Sequence, residues 1–155
     1  MAGKKQFSTF VVDHLLFGVE VEKVQEVIRY QEMTRVPLAP SVVKGLINLR
    51  GQIVTAIDLR RRLGLRERAA ADLPMNVVIR HEDGAVSLLV DEIGDVLEVE
   101  EDNFELPPGT LGNQARDLIR GIYKLSDRLM HVLDTGAAVS VAGEGQEITT
   151  QASRP

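Results

Sequence analysis

Three histidines, His14, His81 and His131, and a scatter of carboxylates are the side chains of this 155-residue chain best suited to bind a metal or move a proton near neutral pH. Their spacing argues against both. There is no H-E-x-x-H pair, and the absence of cysteine excludes a Cys-based zinc site, a thiolate nucleophile and a disulfide framework. His14 and His81 stand beside acids in turn-like sequence and read as solvated; His131 lies in an apolar run and reads as a strand-face residue. Asp58 and Asp134 each close an apolar run, where an aspartate most simply caps the turn that ends a strand. The acids Glu98, Glu100, Glu101, Asp102 and Glu105 lack the D-x-[DN]-x-[DN]-G calcium loop and read as a solvated face or a guarded sheet edge. Gly45 to Gly51 lacks the G-K-[ST] of a phosphate loop, and Ser41 and Ser87 have no plausible base. No catalytic constellation emerges, and neither enzyme activity nor a metal or cofactor is expected.

What remains suits binding. Asn48-Leu49-Arg50-Gly51 places a long cation at a tight strand connection, and arginine, with its planar fork of donors, is enriched among interface hot spots. An arginine salt-bridged within its own domain is the plainer alternative. Val24 and Ile28 fit either a core or an edge strand that offers a face to a partner. Arg60-Arg61-Arg62 cannot share one helical face and reads as solvated. The net charge of -5 conceals a division: residues 1–80 carry 13 Lys/Arg and 8 acids, whereas residues 81–155 carry 5 and 15. Such asymmetry implies two faces, or two halves, that meet different partners and weighs against a dedicated nucleic-acid binder. Residues 44–68, with seven Lys/Arg against two acids, are the one stretch that would support that rival.

These residues must be held by β-structure. With four Phe, two Tyr and no Trp, the core falls to Val, Ile and Leu, which favour sheets. Phe7–Val12 and Leu15–Val21 read as a hairpin about Asp13-His14; Leu46–Leu49 and Gln52–Ile57 flank a turn at Arg50-Gly51. Asp58 starts a short helix that Gly64 stops, and Val36-Pro37-Leu38-Ala39-Pro40 is extended. Then come strands at Met75–Arg80, Ala85–Val90 and Ile93–Val99, a break at 106–109, and a hairpin of Leu118–Leu125 with Leu129–Leu133. Residues 143–155 read as a flexible tail. No apolar run approaches 18 residues, so a cytoplasmic location without membrane insertion is expected.

The pattern repeats. A shift of 76 residues lays Gly45-Leu46-Ile47-Asn48-Leu49 on Gly121-Ile122-Tyr123-Lys124-Leu125 and carries Asp58 to Asp134. A shift of 69 lays Val19, Val21, Val24, Val27 and Ile28 on Leu88, Val90, Ile93, Val96 and Leu97. Because its counterpart contains Gly94, the Val24–Ile28 segment is read as strand. Two tandem units follow, about 7–68 and 75–141 with a linker near 65–74, each of about five short strands that need closure to hide their edges. Neither unit has a large core, so each leans on the other.

Val36-Pro37-Leu38-Ala39-Pro40, then Val43-Lys44-Gly45 through Asn48-Leu49-Arg50-Gly51-Gln52-Ile53-Val54 to Ile57-Asp58-Leu59-Arg60, resembles the signature of CheW-type chemotaxis coupling proteins. Lys23-Val24-Gln25-Glu26-Val27, Leu89-Val90-Asp91 and Gly121 through Asp134 are similar to further stretches, so the likeness spans residues 7–141. Thr55, where proline is usual, and Ser126 depart from the pattern and leave room for a paralogous pathway such as surface motility. The resemblance implies two five-stranded SH3-like barrels with short helical segments and a hydrophobic groove between them. It also implies an adaptor, recruited to receptor arrays, that joins the cytoplasmic tip of chemoreceptors to the regulatory domain of the histidine kinase CheA. By the same likeness Val24, Glu26, Gly45, Asn48 and Arg50 face the receptor, and Tyr30, Met33 and Val36 the kinase.

Overall fold

The structure, a computed structural model, describes residues 3–82, 84–107, 109 and 112–140. Its strands are β1 (Lys4–Val12), β2 (Leu15–Glu20), β3 (Val24–Ile28), β4 (Val43–Leu49), β5 (Gln52–Asp58), β6 (Met75–His81), β7 (Gly84–Val90), β8 (Glu92–Glu100), β9 (Phe104–Glu105), β10 (Ile119–Lys124) and β11 (Leu129–Leu133). Short helices α1 (Leu59–Arg62), α2 (Asn113–Leu118) and α3 (Thr135–Val139) sit at strand junctions, and single 3-10 turns at Val21–Lys23 and Glu101–Asn103. The chain is therefore mostly β, as expected. The Asp13-His14 turn has positive φ at both residues, 48° and 69°, a twist that matches a two-residue hairpin.

The strands form two sheets, ordered β8-β1-β2-β11-β10-β9 and β3-β6-β7-β5-β4. The repeat is visible in both. Each sheet has one parallel junction, β11 on β2 and β5 on β7. Each carries a bulge at matching positions, Val43/Gly45 and Ile119/Gly121. Asp58 and Asp134 cap α1 and α3 by accepting from the backbone N–H groups of Arg60 and Ala137, both at 3.1 Å. His131 is buried on its strand, with Nδ1 2.9 Å from the Leu16 carbonyl oxygen and its ring against Phe17.

Two expectations are corrected. The sheets do not divide the chain near 65–74: the first takes strands from both ends of the chain, and the second is built from residues 24–90. After its first hairpin each repeat crosses to the other sheet, at Val21–Lys23 and again at Asp91, so β3 pairs with β6 and β8 with β1. A period in the sequence reports like chain paths and carries no information about which copy each strand joins. Nor does either ladder close; both sheets keep two edges among the described residues.

Packing explains the dependence of one half on the other. Phe7, Leu16, Tyr123, Met130 and Val132 fill the interior of the six-stranded sheet, and Ile47, Leu49, Val54 and Val78 that of the five-stranded one. The larger core lies between the sheets, where Phe10, Val12, Phe17 and Val19 meet Val77, Ile79, Leu88 and Val90 under Leu59, Leu118 and Val139. Each such fully buried side chain contributes about 1.5–3 kcal/mol, so most of the hydrophobic stabilisation depends on both sheets being present. The outer edge of the first sheet is β8, with Glu92, Asp95, Glu98 and Glu100 exposed, which suits acids that guard an open edge. The helix α2 has no side-chain cap at Gly112, and nothing in the sequence announces it. The expected tail at 143–155 lies outside the described residues.

Candidate docking site

The pairing of Leu49 with Gln52 leaves Arg50 and Gly51 as a two-residue loop between β4 and β5. Both have positive φ, 53° and 88°, a conformation that glycine adopts freely and arginine at a cost of order 1 kcal/mol. Asn48 stabilises the turn by accepting the Gly51 N–H at Oδ1, 2.8 Å away. The Arg50 side chain stands out, 70% exposed, and its guanidinium pairs with the carboxylate of Glu26 on β3. Since β3 and β4 are the two edges of this sheet, the ion pair spans its open seam. The Arg50 guanidinium, by its hydrogen bond, holds the Glu26 carboxyl below the usual carboxylate range.

The rest of the seam is bridged by residues 29–42, which leave β3 and run to β4. Asn76 donates from Nδ2 to the Arg29 carbonyl at 3.0 Å, and its own Oδ1 accepts from Ser87 Oγ at 2.7 Å, both side chains being buried. Thr34 and Leu46 exchange two backbone hydrogen bonds of 2.8 Å. Gly45 is buried under this strap: a Cβ there would lie 2.8 Å from the Thr34 carbonyl oxygen and 2.9 Å from Met33 Cβ. Since a backbone atom blocks the space, Gly45→Ala is expected to cost about 1–3 kcal/mol, seen as a lower urea midpoint at unchanged m.

The structure thus brings Glu26, Asn48 and Arg50 together at one end of the sheet. Val24, on β3, packs at the margin of the shared core, where the partly buried Val86 of β7 and Ile93 of β8 also lie. Gly45 serves the strap and presents no surface of its own. Among the residues expected to face the kinase, Met33 packs inward beside Ile28 and Ile47, while Tyr30 and Val36 are partly exposed on the strap. The most protruding residue there is Leu38, 99% exposed with φ of 65°, in a turn set by the Pro37 and Pro40 neighbours and closed by Ala39 N–H to Val36 O. The extended reading of residues 36–40 misses this left-handed turn; a leucine directly after one proline and two residues before another was the available signal. Arg35, Lys44 and Arg61 line the hollow beside it, a basic rim around apolar Val36, Pro40 and Val43.

The arginine triplet is also corrected. Its three side chains diverge, as helical geometry requires, but each is bound. Arg60 makes two hydrogen bonds to Asp91 Oδ2 and Oδ1, 2.6 and 3.0 Å, among others. Arg61 donates to Glu67 and the Ser41 carbonyl, and Arg62 reaches the carbonyls of Ala137 in α3 and Ser140 just past it. Asp91, the residue at which the chain passes between sheets, also accepts from Arg68 Nε at 2.9 Å and from the Asp13 N–H at 2.7 Å. Burial alone would push its carboxyl up, but the donors Arg60, Asp13 N–H and Arg68 outweigh it and bring the pKa down to about 2. Among the described residues no group of three His, Cys, Asp or Glu could hold a metal ion, and no helix is long and apolar enough to cross a membrane.

The paired SH3-like sheets, built from a swapped repeat, carry a charged hairpin tip at Arg50. Residues 6–142 match the family model described as CheW-like domain, and the chain belongs to that family. It is 32% identical over 143 residues to the chemotaxis protein CheW of Bacillus subtilis, covering 92% of each chain. The chemotaxis protein CheW of Treponema pallidum is 29% identical over 133 residues, 83% of this chain and 78% of that one. The crystal structure of the scaffolding protein TtCheW from Thermoanaerobacter tengcongensis superposes with a TM-score of 0.81 at 26% identity, over 92% of this chain and 97% of that chain. Membership of a family of chemotaxis scaffolds fits a non-catalytic coupling adaptor.

Proposed function

We propose that this protein couples the cytoplasmic tips of chemoreceptors to the regulatory domain of the histidine kinase CheA, using two surfaces at the β3–β4 end of the five-stranded sheet. The observation that carries this is the Arg50–Glu26 pair, an exposed arginine displayed on a pinned two-residue turn beside the apolar margin of Val24, in a chain of this family. Arg50, Glu26, Asn48 and Val24 form the receptor-facing surface, with Gly45 acting through the strap. The strap itself, through Tyr30, Val36 and Leu38, forms the kinase-facing surface, and Met33 supports it from inside. Recruitment to membrane-associated arrays follows from the receptor contact and needs no membrane insertion. A coupler of this kind needs contacts that differ between kinase states, worth roughly 1–3 kcal/mol.

The division into two surfaces is open to a direct test. Leu38→Asp, read by calorimetry, is expected to weaken binding of the kinase regulatory domain about tenfold or more while leaving receptor-tip binding intact, because a fully exposed apolar anchor has no role in the fold. Unchanged kinase affinity would remove the strap from the interface.

A further inference from the structure

The two crossovers between sheets are held very differently. The second, at Asp91, is pinned by Arg60, Arg68 and the Asp13 N–H, and its own N–H donates to the Val11 carbonyl at 3.0 Å. The first, at Val21–Lys23, has no side-chain cap, and none of its residues is buried. It leads straight into β3, an edge strand whose five residues are all only partly buried and which pairs with β6 alone. A register shift between Val24 and Glu26 further weakens that pairing at the strand's start. The side chain that holds this junction is Arg80 on β6: its Nη1 donates to the carbonyl of Glu22 at 2.9 Å and to that of Val24 at 2.8 Å.

We propose that Arg80 is a positioning residue for the docking edge: by bonding the Glu22 and Val24 carbonyls it sets how β3 presents Val24 and Glu26. This rests on the reading of Val24, Glu26 and Arg50 as the receptor-facing surface. Arg80 clamps the start of β3 and Arg50 its middle, so the strand is tied at two points by arginine side chains, one from its partner β6 and one from the β4–β5 turn. Without the first tie, β3 keeps its pairing with β6 from Glu26 onward, past the register shift, but samples several entries at Val24. Binding must then select one of them, and affinity falls by the fraction of molecules in the competent arrangement.

The test uses the full chain with a chemoreceptor cytoplasmic tip fragment as probe, binding read by calorimetry and amide exchange read residue by residue. Arg80→Met keeps the aliphatic stem and removes the donors. It is expected to weaken tip binding about tenfold and to speed exchange across residues 24–28, with exchange in the β10–β11 hairpin unchanged. Arg80→Lys, which retains one cationic donor group, is expected to recover part of both effects and serves also if Arg80→Met does not fold. Combined with Val24→Ala, Arg80→Met is expected to add less than its single effect, because both act through the same strand. Unchanged tip affinity would overturn the proposal, as would weakened affinity with β3 exchange unaltered, which would make Arg80 a direct contact. Arg50→Ala separates the two levels: if it binds the tip like the unaltered protein, the docking surface itself is wrong, whereas weak binding by Arg50→Ala with normal binding by Arg80→Met contradicts only the part given to Arg80.

Discussion

Arg50→Ala is expected to leave the fold standing and to reduce receptor-dependent activation of the kinase by 2 kcal/mol or more, about 30-fold in apparent affinity for the receptor tip. Stability changes little because the pair it makes with Glu26 is solvent-facing at the arginine, 70% exposed, and exposed ion pairs are worth about 0–1 kcal/mol. Removing a side chain from a left-handed position also relieves no more than a fraction of the strain, since alanine shares it. Function, by contrast, loses the one cation that the Asn48-pinned turn holds out beyond the sheet. Docking would desolvate this guanidinium while Glu26 keeps it oriented, the arrangement in which an arginine contributes most to an interface. Melting curves and tip-binding isotherms on the same preparation separate the two effects; loss of the folded state would return Arg50 to a structural role.

Asp91→Ala is expected to do the reverse and destabilise the fold by about 3 kcal/mol. It takes from Arg60 and Arg68, whose side chains are only 12% and 9% exposed, the carboxylate that both hold most closely, and frees the turn N–H of Asp13. The same clasp sets an acid limit on stability. The Asp91 pKa is depressed in the folded protein, from 3.8 to about 2, so its contribution is complete above pH 4 and is lost as the pH falls from about 4 towards 2. After allowance for solvent screening this amounts to about 1–2 kcal/mol. Urea titrations from pH 6 down to pH 2.5 should show this loss in the unaltered protein and a shallower slope over that window in Asp91→Ala. Equal slopes would show that other carboxylates govern the acid transition.

Much of this was legible before any coordinates. Alternation of Val, Ile and Leu located the strands, and the Gly45–Asp58 block against Gly121–Asp134 located the repeat, because bulge, turn and cap each demand particular residue types at fixed spacing. Strand exchange between the repeats was not legible, since β3 and β8 have the same pattern whichever first strand they join. The fate of Arg60, Arg61 and Arg62 was hidden for a related reason. Their partners, Asp91, Glu67 and the carbonyls near residue 140, are brought close by tertiary packing, and local charge pattern speaks only for an isolated helix. At the candidate docking site the turn at Arg50-Gly51 could be read directly, whereas the pairing of Arg50 with Glu26 across a sheet seam could not. The half-buried place of Met33 against the core of the five-stranded sheet, with its Cβ 2.9 Å from where a Gly45 side chain would begin, could not be read either.

The central claim, that this chain transmits receptor state to a kinase through binding alone, is tested most directly by reconstitution. Kinase autophosphorylation would be measured with receptor tips and kinase present, in the presence and absence of this protein and with the Arg50→Ala variant. The account predicts activation that requires the protein, saturates with it and is largely lost in the variant. Activation that proceeds equally without the protein, or that the variant supports in full, would contradict it.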